Sequence, residues 1–192
     1  MQPDFKTIQA VKSISQRNLV LHWQSLQMVD GLPRFTDFAP GDRAHDPKQI
    51  TVWAIDEPAG ARSCRLIKIG SYVTEAFGGE LLLQSIPPSL MPIFKLGIDG
   101  CIDSRAIIYM LISTADADRH QIDCERLLLP FSETGREVTH VLASIQLVSV
   151  NGTIHRDMIV AQFAQEAQVT MFSCIEPSVN GPRAMSRNRA SA

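Results

Sequence analysis

The chain has 192 residues, with 18 Lys+Arg against 20 Asp+Glu and a formal charge of -2. That balance excludes a nucleic-acid binder that works through bulk positive charge, and the 45% hydrophobic content excludes an acidic disordered chain. At about 100–200 residues per domain, the length predicts one domain with appendages.

Residues 1–29 read as a helical extension. Phe5, Ile8, Val11 and Ile14 recur at three-residue steps, and Leu19, His22, Trp23 and Leu26 follow at steps of three and four. Ser15 and Asn18 suggest a break or fresh cap between two helical pieces. Asp4, Lys6, Lys12 and Arg17 interrupt the apolar core that a signal peptide needs. No apolar run approaches the ~20 residues of a membrane span. The expectation is a cytoplasmic protein with no membrane partner and no nucleic acid.

Residues 30–49 are rich in Pro, Asp and Gly and read as a connector. Ile50–Asp56 and Cys64–Ile69 are predicted strands. The gap between them is too short for a helical crossover, so they predict an antiparallel pair. Ser71–Phe77 reads as a short helix stopped by Gly78-Gly79, and Ser89–Cys101 as a second helix with Ser89 as cap and Pro92 in its first turn. Strands are predicted at Arg105–Ser113, Ile122–Leu129 and Glu137–Val150, the second ended by Pro130 and followed by a turn at Ser132–Arg136. In the last strand Val141, Ala143, Ile145 and Leu147 alternate with His140, Ser144 and Gln146, which predicts one buried face. Residues 151–179 are predicted to carry one more helix, over 153–172. Residues 180–192, with Arg183, Arg187 and Arg189 and no acid, read as a disordered basic tail. Two strands, a helical block and three strands predict an α+β domain rather than βαβ units.

Three motifs then carry a family resemblance. They are His22-Trp23-Gln24-Ser25-Leu26 with Leu32-Pro33-Arg34; Cys64-Arg65-Leu66 with Gly70 and Gly78-Gly79-Glu80-Leu81; and Cys124-Glu125-Arg126-Leu127-Leu128-Leu129-Pro130 with Gly135. In this order they resemble the bacterial PAS_5 family, a group of PAS-like domains once catalogued as a domain of unknown function. The resemblance implies a five-stranded antiparallel sheet in residues 30–150, with a helical block between strands 2 and 3 and flanking N- and C-terminal helices. It also implies a sensory or regulatory role, and it carries over no catalytic residue.

In a PAS-like arrangement Phe77, Met91, Phe94 and Tyr109 converge between the sheet and the helical block, as a packed core or a small-molecule pocket. Cys124, Arg65 and Arg126 complete the candidate ligand-binding set. An arginine pointing inward from a strand must be paired or must meet an anionic ligand. Common catalytic motifs are absent from the sequence. Cys124 with His140 on a neighbouring strand is a nucleophile–base pair to test. No C-x-x-C or paired-histidine spacing points to a metal. The cofactor is unknown: no His between His45 and His120 disfavours haem, and Cys101 lies too late in the helical block for a covalent flavin.

The expectation is a stand-alone PAS-like sensory or regulatory domain that binds a small ligand or a protein partner. It has no effector domain of its own, so output needs another chain. The apolar stripe of the N-terminal helix predicts a homodimer. The alternatives are a small α+β enzyme of the cystatin-like or hot-dog type, and a ligand-free structural adaptor.

Overall fold

The computed structural model describes residues 2–26, 28–29, 31–38, 47–57, 62–76, 90–115, 121–149 and 167–176. The strands are β1 (Asp4–Lys6), β2 (Met28–Val29), β3 (Leu32–Pro33), β4 (Ile50–Asp56), β5 (Ser63–Ile69), β6 (Ile107–Ala115), β7 (Gln121–Phe131), β8 (His140–Ser149) and β9 (Gln168–Ile175). The helices are α1 (Ile14–Ser25), α2 (Ser71–Ala76) and α3 (Met91–Ser104). The class is α+β, as expected. The main sheet has seven strands rather than five, in the order β1-β9-β6-β7-β8-β4-β5.

The five strands between residues 50 and 149 are contiguous in that sheet and pair antiparallel throughout. The two additional strands extend the β6 edge. β9 pairs antiparallel with β6, and β1 pairs parallel with β9, joining Phe5 to Cys174. The helix expected over 153–172 is therefore overturned where it is described, since Gln168–Ile175 is strand. The β-branched and aromatic content of QVTMFSCI suits a pleated surface next to β6. The N-terminal stretch likewise starts with a strand and a short 3-10 turn at Ile8–Ala10, not with helix. Helix α1 begins at Ile14, capped by Ser13, whose hydroxyl accepts from the Gln16 amide, and it runs through Ser15 and Asn18 without a break. The tail expected over 180–192 lies outside the described residues.

Pro130 does not end β7. The β6 ladder stops at Ile108↔Leu128, so at Pro130 the strand has β8 alone as neighbour and a missing N–H costs no bond toward β6.

Both faces of the sheet are covered, which corrects the expectation of one buried face in β8. Helix α1 covers the first, burying Leu19, Val20 and Trp23, each worth about 1.5–3 kcal/mol of transfer free energy. The Trp23 indole donates to the Pro130 carbonyl at 2.8 Å. Part of the apolar stripe expected to mediate dimerisation is thus used within the chain, while Phe5 and Ile14 stay exposed. Helix α3 covers the second face through Gly97, Ile98 and Cys101. A Cβ on Gly100 would stand 2.7 Å from the Phe172 ring, so the helix backbone approaches β9 as only glycine permits. Arg62 ties the start of β5 to this helix, with ion pairs of 2.9 Å to Asp99 and 2.8 Å to Asp103.

Candidate functional site

The strand register decides which charged side chains meet. In β7, alternation sends Asp123, Glu125 and Leu127 to the α1 face and Cys124, Arg126 and Leu128 to the α3 face.

On the α1 face, Glu125 is 3% exposed. Its Oε2 accepts from the Ser13 amide at 3.0 Å and from the Tyr109 hydroxyl at 3.0 Å. Tyr109 in turn accepts from the Lys12 amide at 3.2 Å. Burial first, and the Glu125 charge beside it, push the Tyr109 phenol well above its ordinary range. The carboxylate sits at the N-terminus of α1, where the helix dipole favours negative charge. Gln16 extends the network, donating to the carbonyls of Glu125 and Ser144 at 3.3 and 3.1 Å. This buried anion is satisfied by its own chain.

On the α3 face, Arg126 is 8% exposed. It pairs in register with Met110 and Ile145, both apolar. No described residue gives it a salt bridge or a hydrogen bond, and its buried Nε lacks a partner. Desolvation lowers its pKa to about 10, which leaves it a cation at neutral pH. Its guanidinium carbon lies 5.2 Å from the centre of the Phe94 ring, a cation–π contact. Trp53 of β4 meets the same ring edge to face at 4.9 Å. Trp53 is 6% exposed, and its indole N–H also has no partner among the described residues. Two unsatisfied buried donors thus flank one phenyl ring. Each unsatisfied buried polar group costs on the order of 1–3 kcal/mol, and more when charged.

The expected ligand-binding residues divide accordingly. Phe94 and Arg126 come together. Cys124 shares their face, two residues along β7, in a satellite cluster with Val73, Ile145 and Leu147. Met91 is the first residue of α3, one turn before Phe94. Tyr109 is not among them: it points to the α1 face and is held by Glu125 and Lys12. Arg65 is exposed on the α1 side of the edge strand β5, opposite Ala54, and does not approach Arg126. Phe77 lies outside the described residues. Trp53 is the member that the expected set lacks. Its strand position opposite Leu66 shows nothing of the unpaired N–H.

Cys124 and His140 do not form a nucleophile–base pair. Cys124 pairs with Leu147 and His140 with Phe131, on opposite faces and about 24 Å apart along the strand. Burial pushes the Cys124 thiol up to about 12, the reverse of an activated nucleophile. Among the described residues no cluster of three or more His, Cys, Asp or Glu could hold a metal. Among the described residues no helix is long and apolar enough to cross a membrane.

A concavity of about 200 Å³ opens at the far end of α3 and includes Arg62, Asp103, Arg105, Arg136 and Glu137 in its lining. Two of its three lining arginines, Arg62 and Arg105, are engaged. Arg62 holds Asp99 and Asp103, and Arg105 donates to the carbonyls of Gly135 and Arg136. It reads as a clamp between α3 and the β7–β8 turn. No family model, no curated protein and no solved structure matches the chain. The functional reading therefore stands on the geometry at Arg126.

Proposed function

We propose that the chain is a PAS-like sensory or regulatory domain that binds a small ligand between α3 and the sheet. The carrying observation is Arg126, a buried cation for which the described chain supplies no counter-charge. The element order supports the reading: two strands, a helical block and three strands that are neighbours in one sheet. An enzyme of the cystatin-like or hot-dog type is less favoured, because the buried carboxylate Glu125 is held by Ser13 and Tyr109 on the opposite face. A ligand-free adaptor is less favoured, because it gives the cost of burying Arg126 no return.

The same proposal places the domain in the cytoplasm, with output through an unidentified protein partner. It also makes the domain a homodimer through the N-terminal segment, where Phe5, Ile14 and Leu21 stay exposed after α1 has packed. Native mass spectrometry of the purified chain, set against its denatured mass, tests the ligand. A non-covalent small molecule supports sensing. Repeated absence, with no thermal shift across a metabolite panel, supports the adaptor. Light scattering that shows a monomer at high micromolar concentration removes the dimer.

A further inference from the structure

The chemistry around Arg126 also narrows the ligand class, an inference that rests on the ligand reading above. We infer that the ligand is a small monocarboxylate with a flat apolar body, its carboxylate on the Arg126 guanidinium and its body against Phe94 beside the Trp53 indole N–H.

Charge comes first. Among the described residues the site holds one cation, Arg126, with Met110 beside it in register and the Phe94 ring 5.2 Å away. One negative charge neutralises it. A dianion such as phosphate brings a second charge into the same apolar setting with nothing to meet it.

Geometry comes second. A guanidinium is a planar fork whose paired N–H groups match the two oxygens of a carboxylate. Gly97 of α3 keeps part of that fork clear. A Cβ at this position would stand 3.6 Å from Arg126 Nη1 and 2.9 Å from Met110 Sδ. Any side chain there would crowd the guanidinium on its helix side.

The apolar body follows from the ring. Phe94 touches both Arg126 and Trp53. A flat ligand lying along it reaches both unsatisfied donors while its remaining surface stays in apolar contact. Arg126 and Trp53 come from β7 and β4, separated in the sheet by β8. Both project to the α3 face and meet the same Phe94 ring without sharing a strand.

The test measures thermal unfolding of the full chain with benzoate, the isosteric neutral benzamide and inorganic phosphate. Benzoate well above its Kd is expected to raise Tm by several degrees through mass action. Benzamide is expected to need at least about tenfold more for the same shift, since an unpaired buried cation distinguishes them by more than the ~1.4 kcal/mol of one decade. Phosphate is expected to do nothing. In Arg126→Met, which fills similar volume without charge, the ligand-free Tm is expected to hold or rise and the benzoate response to vanish.

Four results overturn the inference: equal shifts from benzoate and benzamide, no benzoate shift, a benzoate shift that survives in R126M, or an R126M chain that unfolds without ligand. The last would show that the chain itself pairs Arg126. A small molecule still found by native mass spectrometry in any of these cases leaves the sensory reading standing and removes only the carboxylate.

Discussion

Glu125 and Arg126 are consecutive in β7, and their buried charged side chains leave the sheet on opposite faces. The carboxylate is held by the first turn of α1 and by Tyr109, while the guanidinium faces α3 over the Phe94 ring with no hydrogen bond or ion pair among the described residues. One strand position therefore connects the candidate ligand site to the N-terminal helix. A ligand that draws Arg126 toward α3 loads the same backbone that anchors α1. In a sensory domain this is a short mechanical path from site to flanking segment.

The Glu125–Tyr109 contact predicts energetic coupling. Tyr109→Phe and Glu125→Gln are each expected to destabilise by about 1–3 kcal/mol, the range for hydrogen bonds to charged or buried groups. The double mutant should lose less than the sum by about 0.5–3 kcal/mol. Urea denaturation of the four proteins measures this. A coupling near zero would mean that the 3.0 Å contact holds nothing together.

Helix α3 contains two glycines at the sheet, and they should tolerate alanine differently. At Gly100 a Cβ meets the Phe172 ring at 2.7 Å, and Phe172 is fixed in the core. At Gly97 the nearest atom is the Met110 sulfur, the end of a flexible side chain. Alanine gains up to about 1 kcal/mol of helix propensity at either site. Gly100→Ala is expected to be net destabilising by about 1–3 kcal/mol, and Gly97→Ala to lie closer to neutral. Thermal melts of both variants check the order, and the reverse order would place the close approach elsewhere along α3.

His140 predicts an acid-side loss of stability. Its ring stacks on Phe35 at 4.5 Å, and burial lowers its pKa below the ordinary 6.5, with Glu133 opposing the shift from 4.0 Å. In that window the unfolded chain binds more protons than the folded one, so stability rises with pH. The contribution is complete above the unfolded value and is lost as pH falls from about 6.5 through the folded value. Wild type is therefore expected to lose more stability than His140→Asn between about pH 6.5 and 5. Parallel pH profiles of the two proteins would reject this.

Thiol reactivity should follow burial. Cys101, Cys124 and Cys174 are buried, and Cys64 is part-exposed on the edge strand. Burial raises every one of the four thiols, Cys124 to about 12, and the thiolate is the reactive form. A thiol reagent at neutral pH is expected to label Cys64 slowly and the other three only on unfolding. Rapid labelling of Cys124 in the folded state would show an opening between α3 and the sheet.

The sequence by itself determined the elements whose signal is local. The five strands between 50 and 149 stand in runs of β-branched and apolar residues, and α3 carries the expected proline in its first turn, although it runs over Met91–Ser104 with Leu90 as N-cap rather than over Ser89–Cys101, and the expected cap Ser89 lies outside the described residues. The turn at 132–136 was legible from its Ser, Gly and charged residues, with Gly135 at φ 82°. What stayed hidden depends on residues far apart in the chain. β1 is the three residues DFK, with no strand pattern of its own, and it exists because β9 offers an edge about 170 positions away. The α1 stripe gave no sign whether it would meet another chain or its own sheet. In the fold Leu19, Val20 and Trp23 meet the sheet, and covering both faces also buried the polar positions Ser144 and Glu125.

Arg65 and Arg126 look alike in sequence, each one or two residues after a cysteine in a predicted strand. Only register separates them. A side chain alternates faces at every residue, and the bulge that leaves Ile67 without a partner on β4 resets the count along β5. One arginine therefore ends in solvent at a sheet edge, and the other is buried beneath α3 against Phe94. The charge arithmetic of the whole chain is silent on this, because one buried cation matters through its surroundings and not through the total. Tertiary packing removed the water from Arg126, and that desolvation is what makes a single side chain the centre of the candidate site.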